Sequence, residues 1–434
     1  MLTTDNVKAI AAELGLDITE ECAALLVSEP QPVVVAGSSG GKDSSAQTLL
    51  LNRFLDRIEF HGDRAVIHAD LGRIEHAESL DHVRALSGFV DWPLIICRRE
   101  KGDLLDRYEQ RWRDNCKRYA LLECVTLIGP FPSPVMPFCR SENKVAPIIK
   151  TLANRYPGRT ILSCVGLRAQ ESNSRAKKPV FQFNPKFTRA AGTRGFDWHP
   201  IHSIPIERVF LIHKQFGFPL HIQYTRGNER LSCSACFLAS KNDLKCGAAI
   251  ETNHLAYRLI MDLEIRSSFS YQADTWLADV APELLTTTRL QALNQAKAKA
   301  ADRRLAEATY ISRDLLFKNH GGRRGWPASQ PPLEQCAQLA KARTAIASLF
   351  GDEIERVTGI QVQYLDAKSI YDRYAQLLDA RPHNLPEPPS PPLFQNSAAP
   401  TVVASIAAKK AQKQKEHDNR MYEAIIGRIK HLTA

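Results

Sequence analysis

Val33-Val-Val-Ala-Gly-Ser-Ser-Gly-Gly-Lys-Asp-Ser44 is the stretch that decides the fold. A β-branched run, Val33 to Val35, enters a Gly/Ser turn at Gly37–Gly41, and Ser44 to Leu55 then carries the spacing of an amphipathic helix. Glycine lets a backbone approach a phosphate closely, and a helix start offers unpaired N–H groups at the positive end of its dipole. In this stretch Ser38, Ser39, Gly40, Gly41, Lys42, Asp43 and Ser44 form the candidate phosphate cradle, Lys42 adding a full charge. The pattern is not G-x-x-x-x-G-K-[ST], since Ala36 stands at its first glycine and Asp43 follows the lysine. Nor is it the dinucleotide G-x-G-x-x-G.

Outward from the loop, strands and helices alternate. Arg64 to Ala69 reads as a strand ending at Asp70, Glu75 to Leu86 as a helix, and Leu94–Cys97 and Thr160–Val165 as two further strands. That alternation predicts an α/β fold, a mainly parallel, doubly wound sheet. Val7, Ile10, Ala11, Leu14, Cys22, Leu25 and Leu26 give residues 1–30 a helical preface. The nucleotide-binding domain is read over 31–246. A helical C-terminal region follows over 247–380, with helices expected at Ala248–Leu263, Leu285–Ala308, Leu333–Phe350 and Ile370–Leu378. Residues 381–401, with seven prolines from Arg381 to Pro400, read as a linker, and 402–434 as a basic tail.

The 434 residues carry 57 Lys+Arg against 47 Asp+Glu, a net charge of +10, with 44% apolar residues. Such a composition excludes global disorder, and no apolar run reaches the roughly 18 residues of a membrane span. Met1–Asn6 lacks the basic head and apolar stretch of a secretory signal, so a cytoplasmic protein is expected, with no membrane partner. Arg140 to Arg194 holds twelve Lys/Arg against Glu142 and Glu171, a local balance of +10 that invites a polyanion or a multiply phosphorylated ligand.

Ser39-Gly-Gly-Lys-Asp-Ser44 resembles the PP-loop of the ATP-pyrophosphatase superfamily, whose members split nucleotides between the α and β phosphates. His68-Ala-Asp-Leu-Gly72, with Glu75 and Ser79, is similar to the family's second strand and the loop behind it, where an acidic residue, here Asp70, faces the nucleoside. Val165-Gly-Leu-Arg-Ala-Gln-Glu-Ser172 with Arg175 resembles the G-x-R-x-x-E-S-x-x-R segment of phosphoadenosine phosphosulfate reductases and their relatives. Pro200 to Tyr224 and Arg230–Cys233 are similar to the closing part of that domain, so the likeness covers roughly residues 31 to 245. On their own chemistry, Arg168 and Arg175 sit just past a strand end, where open α/β sheets bind ligands and a planar guanidinium suits phosphate oxygens.

Cys233-Ser-Ala-Cys236 is a C-x-x-C, with Cys246 ten residues on and Cys139 upstream. Four thiolates so spaced hold zinc or a [4Fe–4S] cluster, and spacing does not choose between them; clustering of ordinary core cysteines is the third reading. The resemblance favours the cluster, since cluster-bearing relatives join a cysteine beside the basic segment to a later C-x-x-C. Two departures separate the chain from the reductases. Arg140 follows Cys139 where they carry a second cysteine, and nothing after Cys246 resembles their Glu-Cys-Gly nucleophile.

A PP-loop, a four-cysteine site and a basic face without that nucleophile resemble the ATP-pyrophosphatase component of bacterial DNA phosphorothioation systems. The resemblance implies an enzyme that uses ATP and Mg²⁺ to adenylate a DNA backbone phosphate for sulfur insertion. Lys42, Asp43, Arg168 and Arg175 would be catalytic, and Ser38–Ser44 with Asp70 would bind nucleotide. It also implies a [4Fe–4S] cluster on Cys139, Cys233, Cys236 and Cys246. The implied partners are DNA, with RNA open, a cysteine desulfurase as sulfur donor, and other modification-system subunits. Three alternatives stand beside it: a sulfonucleotide reductase, a tRNA-thiolating PP-loop enzyme, and a silent nucleotide-sensing DNA-binding subunit.

Overall fold

The computed structural model describes residues 3–189, 191–273, 275–319 and 325–382. Helices α1 (Thr4–Leu14) and α2 (Glu20–Leu26) precede β1 (Val33–Gly37), α3 (Lys42–Arg57), β2 (Arg64–Asp70), α4 (Ser79–Val90), β3 (Leu94–Arg98) and α5 (Leu104–Ala120). A single turn, α6 (Phe138–Arg140), runs through a π-helical turn (Ser141–Val145) into α7 (Ala146–Arg155). Then come β4 (Thr160–Val165), α8 (Asn173–Ala176), β5 (Phe181–Phe183), β6 (Arg194–Trp198) and α9 (Ile206–Phe216). The helical region comprises α10 (Lys241–Ala248), α11 (His254–Ser267), α12 (Leu277–Val280), α13 (Thr287–Tyr310), α14 (Leu333–Thr358) and α15 (Ala367–Asp379).

The sheet has six strands in the order β3-β2-β1-β4-β6-β5, parallel except for the edge strand β5. Successive residues of β1 serve opposite faces: Val34 and Ala36 pack beneath α1, α3, α4 and α9, while Val33 and Val35 pack against Ile149 and Leu152 of α7. Burial on both faces is why the sequence there is a continuous Val run rather than an alternation. Strand order reverses at β1, which has β2 on one side and β4 on the other. An open α/β sheet leaves a crevice at such a point, beyond the carboxyl ends of its strands.

Two boundaries differ from the sequence reading for local reasons. The helix expected from Glu75 starts at Ser79, because Gly72–Ile74 form a 3₁₀ turn that leaves Glu75 in the loop. The helix expected from Ala248 starts at His254, after a turn at Glu251–Asn253. The helices beyond α10 do not pack as a separate core. Tyr108, Trp112, Cys116 and Tyr119 of α5 share one apolar cluster with Tyr257, Ile260 and Leu263 of α11 and with Ile346 and Phe350 of α14. Among the described residues no helix is long and apolar enough to cross a membrane. The linker beyond residue 382 and the basic tail lie outside the described residues.

Candidate functional site

The loop after β1 folds largely on its own polar groups. The Ser39 N–H donates to Ser44 Oγ (3.3 Å), the Gly40 N–H to Ser38 Oγ (3.3 Å), and the Ser44 hydroxyl to the Gly41 carbonyl (2.9 Å). Gly40 holds φ at 77°, a left-handed conformation that glycine adopts without strain. Helix α3 begins here with no side-chain cap, unlike α1, α2 and α5, so its start keeps the electropositive character that attracts an anion. Gly166 completes the fit from β4: a Cβ there would stand 2.9 Å from the Asp43 carbonyl oxygen and the Ser44 Cα. Only glycine lets the two loops flanking the switch point meet.

Asp43 is the hub of the charged groups. One carboxylate oxygen takes the Lys42 Nζ at 3.2 Å and the other the Arg168 Nε at 2.6 Å, and both cations are buried, at 6% and 3% exposure. Burial works against the Asp43 charge, yet Lys42 and Arg168 outweigh it and hold the carboxyl below its usual range. Asp43 therefore stands between two cations, and no side chain caps the helix it begins. Arg168 is further braced on Gln170 Oε1 at 2.8 Å. Arg175 does not join the group and pairs with Glu171 on the exposed turn. Asp70 also stands apart, receiving the Gly72 N–H at 2.7 Å and pairing with Arg98 at 2.8 Å.

The structure adds residues that single-residue sequence signals could not mark. The Tyr224 hydroxyl accepts the Lys42 N–H (3.2 Å), and its ring lies 5.6 Å from the Lys42 ammonium. His213 bridges the Lys42 and Phe218 carbonyls at 2.9 and 3.1 Å. His68 reaches the Ser38 carbonyl, and a Cβ on Gly40 would meet His221 at 3.5 Å.

His221 belongs to a further group with His76 and His82, whose rings lie 6.4 and 5.1 Å from its own. Burial is the main reason these three imidazoles are lowered to about 4; the charges of Arg226 and of neighbouring histidines add to it. A depressed histidine favours the neutral ring in the fold, so its contribution is complete above the ordinary 6.5 and is lost as pH falls from there toward 4. His199 is lowered with them, whereas His68 and Glu264, the latter raised by burial to about 8, shift upward and oppose them. Between pH 7.5 and pH 5 the wild type is therefore expected to lose about 1–2 kcal/mol more stability than a variant lacking one of the three. Calorimetry on the wild type and on His82→Phe, which removes one of the three, measures it; an unchanged drop in the variant refutes the assignment.

Three of the four candidate metal ligands gather. Cys233 donates to Cys236, lowering the Cys236 thiol and raising that of Cys233, and Cys139 is close enough to act electrostatically on both or either of them, as is Lys144. Cys246 stands elsewhere, beside Gly227 and the carboxylates of Asp243 and Glu229. Among the described residues no three His, Cys, Asp or Glu side chains stand in metal-holding positions. Cys246 lies on α10, past the loop that holds Cys233 and Cys236. The helical region fixes that loop: Tyr257 donates to the Ser234 and Leu244 carbonyls (2.8 and 2.6 Å), Tyr271 to Ala235, and Gln272 to Phe237 and Ala239. Cys22, Cys97, Cys116, Cys124, Cys164 and Cys336 are buried core residues.

The basic run from Arg140 to Arg194 is partly neutralised in space. Lys150 pairs with Glu100, Arg159 with Asp63 and Arg168 with Asp43, all carboxylates from outside the run.

Residues 33–239 match the family described as the phosphoadenosine phosphosulfate reductase domain. The chain is also 27% identical over 246 residues to an uncharacterized 37.8 kDa protein of Escherichia phage 186, covering 48% of this chain and 68% of that protein. A phosphoadenylyl-sulfate reductase from Candida auris aligns at TM-score 0.33 and 12% identity, over 55% of this chain and 98% of that one. A U34-tRNA thiolase, NcsA, from Methanococcus maripaludis aligns at TM-score 0.32 and 12% identity, over 64% and 78%.

Proposed function

From the match of residues 33–239 to the phosphoadenosine phosphosulfate reductase domain, we propose that the chain is an ATP pyrophosphatase of the PP-loop kind, activating a nucleic-acid phosphate for sulfur insertion. The observation that carries the reading is the switch-point arrangement: an uncapped α3 start, with Lys42 and Arg168 buried around Asp43. That cradle suits a polyphosphate whose α–β bridge is to be broken. An acceptor phosphate oxygen attacks the α-phosphorus, the bond from that phosphorus to the bridging oxygen breaks, and pyrophosphate leaves with the electron pair. Lys42, Arg168 and the α3 start stabilise the charge arriving on the pyrophosphate. The adenylated oxygen then departs as AMP when a sulfur nucleophile attacks the acceptor phosphorus. DNA is the proposed acceptor, as in phosphorothioation, and a cysteine desulfurase the proposed sulfur source, its persulfide sulfur being released as sulfide by a thiol reductant that supplies the two electrons.

The family match itself favours a second reading, reduction of a sulfonucleotide to sulfite. It requires a thiol that attacks sulfur, and Cys336, the one cysteine in the sequence after Cys246, is fully buried with its thiol pushed up by burial.

Thin-layer separation of products from α-labelled ATP with Mg²⁺, with and without duplex DNA, tests the proposal. AMP with matching pyrophosphate is expected, increased by DNA. Sulfite from phosphoadenosine phosphosulfate and a thiol donor, with no AMP from ATP, would overturn it in favour of the reductase.

A further inference from the structure

His68 lies on β2, outside the loop motif, and its side chain is 1% exposed. Its Nδ1 is 2.9 Å from the Ser38 carbonyl oxygen and its Nε2 3.1 Å from a Glu75 carboxylate oxygen. Both partners are acceptors. A neutral imidazole has one N–H and satisfies one of them, whereas the imidazolium satisfies both. The surroundings agree: Asp70 adds negative charge from the same strand, and the Cys97 thiol of β3 points at the His68 carbonyl rather than the ring. Burial opposes the charge, but the Glu75 bond and carboxylate outweigh it, and the ring titrates above its ordinary 6.5.

The geometry points to His68 as a positioning residue of the phosphate loop, an imidazolium kept charged by Glu75 that anchors the Ser38 carbonyl and so fixes the orientation of the Ser38–Ser39 peptide that opens the loop. The planar peptide supplies the link. The Ser38 C=O and the Ser39 N–H lie trans on one plane, so turning the carbonyl inward to His68 turns the N–H outward, where Ser44 Oγ receives it. The buried charge also joins Lys42 and Arg168 in drawing a polyphosphate. For its ligand the inference rests on the nucleotide reading above; for the protonation state it does not.

A raised pKa makes the anchoring complete below 6.5 and lost as pH rises through the folded value. Nitrogen-15 spectra of histidine-labelled full chain, with His68 assigned by its disappearance in His68→Gln, are expected to show both ring nitrogens protonated at pH 7. Glu75→Gln is expected to lower that midpoint by about one unit or more. ATP titration calorimetry from pH 7 to 9 should show wild-type affinity falling about tenfold, while Glu75→Gln stays flat over the same range. A neutral His68 ring at pH 7 in the wild type, or identical pH profiles in the two proteins, overturns the inference. Absence of ATP binding at every pH would instead overturn the proposed function, and the spectra would still decide the state of His68.

Discussion

Lys42→Ala is expected to lower the rate of AMP and pyrophosphate formation about 10²–10³-fold, the usual loss when one preorganised donor to developing charge is removed. The buried ammonium lies at the start of α3, where it meets the phosphates that must separate. Alanine is a good helix former at that position, so the fold should persist. The remaining Asp43–Arg168 pair at 2.6 Å keeps the carboxylate from being left alone. Arg168→Ala is expected to act more broadly, because it strips Asp43 of its shorter ion pair and leaves Gln170 Oε1 with the Ile206 N–H alone. Both variants are measured at saturating ATP, with melting temperature as the control for folding. A Lys42→Ala rate within threefold of wild type would remove Lys42 from the chemistry.

Lys42, Asp43 and Arg168 were legible because each sits in a local pattern, a strand running into a glycine turn, whose physics is contained in a dozen residues. The parallel sheet was legible for the same reason, through the apolar runs of β1, β2, β3 and β4. Strand β6 is less readable: Arg194-Gly-Phe-Asp-Trp198 interrupts its apolar residues with glycine and charge, and it is ordered by pairing with β4 and β5. His213 and Tyr224 fell within a stretch that resembles the family, and His68 within another, but none of the three carried a role of its own there. Each is a single polar residue whose partner lies 30, 171 or 182 positions away, so its role exists only after the sheet has formed.

Charge and cysteine spacing are read along the chain, but their surroundings are set in space. A run of twelve cations in sequence looks like an open basic face, yet Asp63, Glu100 and Asp43 arrive from other elements to pair with three of them. Cysteine spacing likewise bounds what the chain can reach without fixing where it goes. Cys236 and Cys246 are ten residues apart, and α10, capped by Ser240 on the Asp243 N–H, begins between them and carries Cys246.

Arg343→Met should be the most destabilising single change outside the site. The guanidinium is 0% exposed and has no carboxylate partner among the described residues; it donates instead to the carbonyls of Tyr364 (3.0 Å), Gln363 (2.6 Å), Tyr119 (3.0 Å) and Ala120 (3.3 Å). Tyr119 and Ala120 end α5, so a buried cation closes that helix at the negative end of its dipole while tying it to the chain after α14. Methionine keeps the apolar stem and removes every donor. The Tyr119 and Ala120 carbonyls retain the Leu122 and Gln363 N–H groups, whereas the Gln363 and Tyr364 carbonyls lose their guanidinium partner at about 1–3 kcal/mol each, partly offset by no longer burying a charge. At roughly 2–4 °C per kcal/mol for domains of 150–250 residues, a fall in melting temperature of about 10 °C is expected. Arg343→Lys, which retains the charge but reaches fewer carbonyls, should fall between the two. The same α5 places Tyr108 beside Tyr271, which holds the Cys233–Cys236 loop through Ala235, so the loss should be felt there as well. Faster alkylation of Cys233 and Cys236 in Arg343→Met at temperatures well below its melting point would show that coupling. Equal rates in the two proteins would confine Arg343 to holding the helices together.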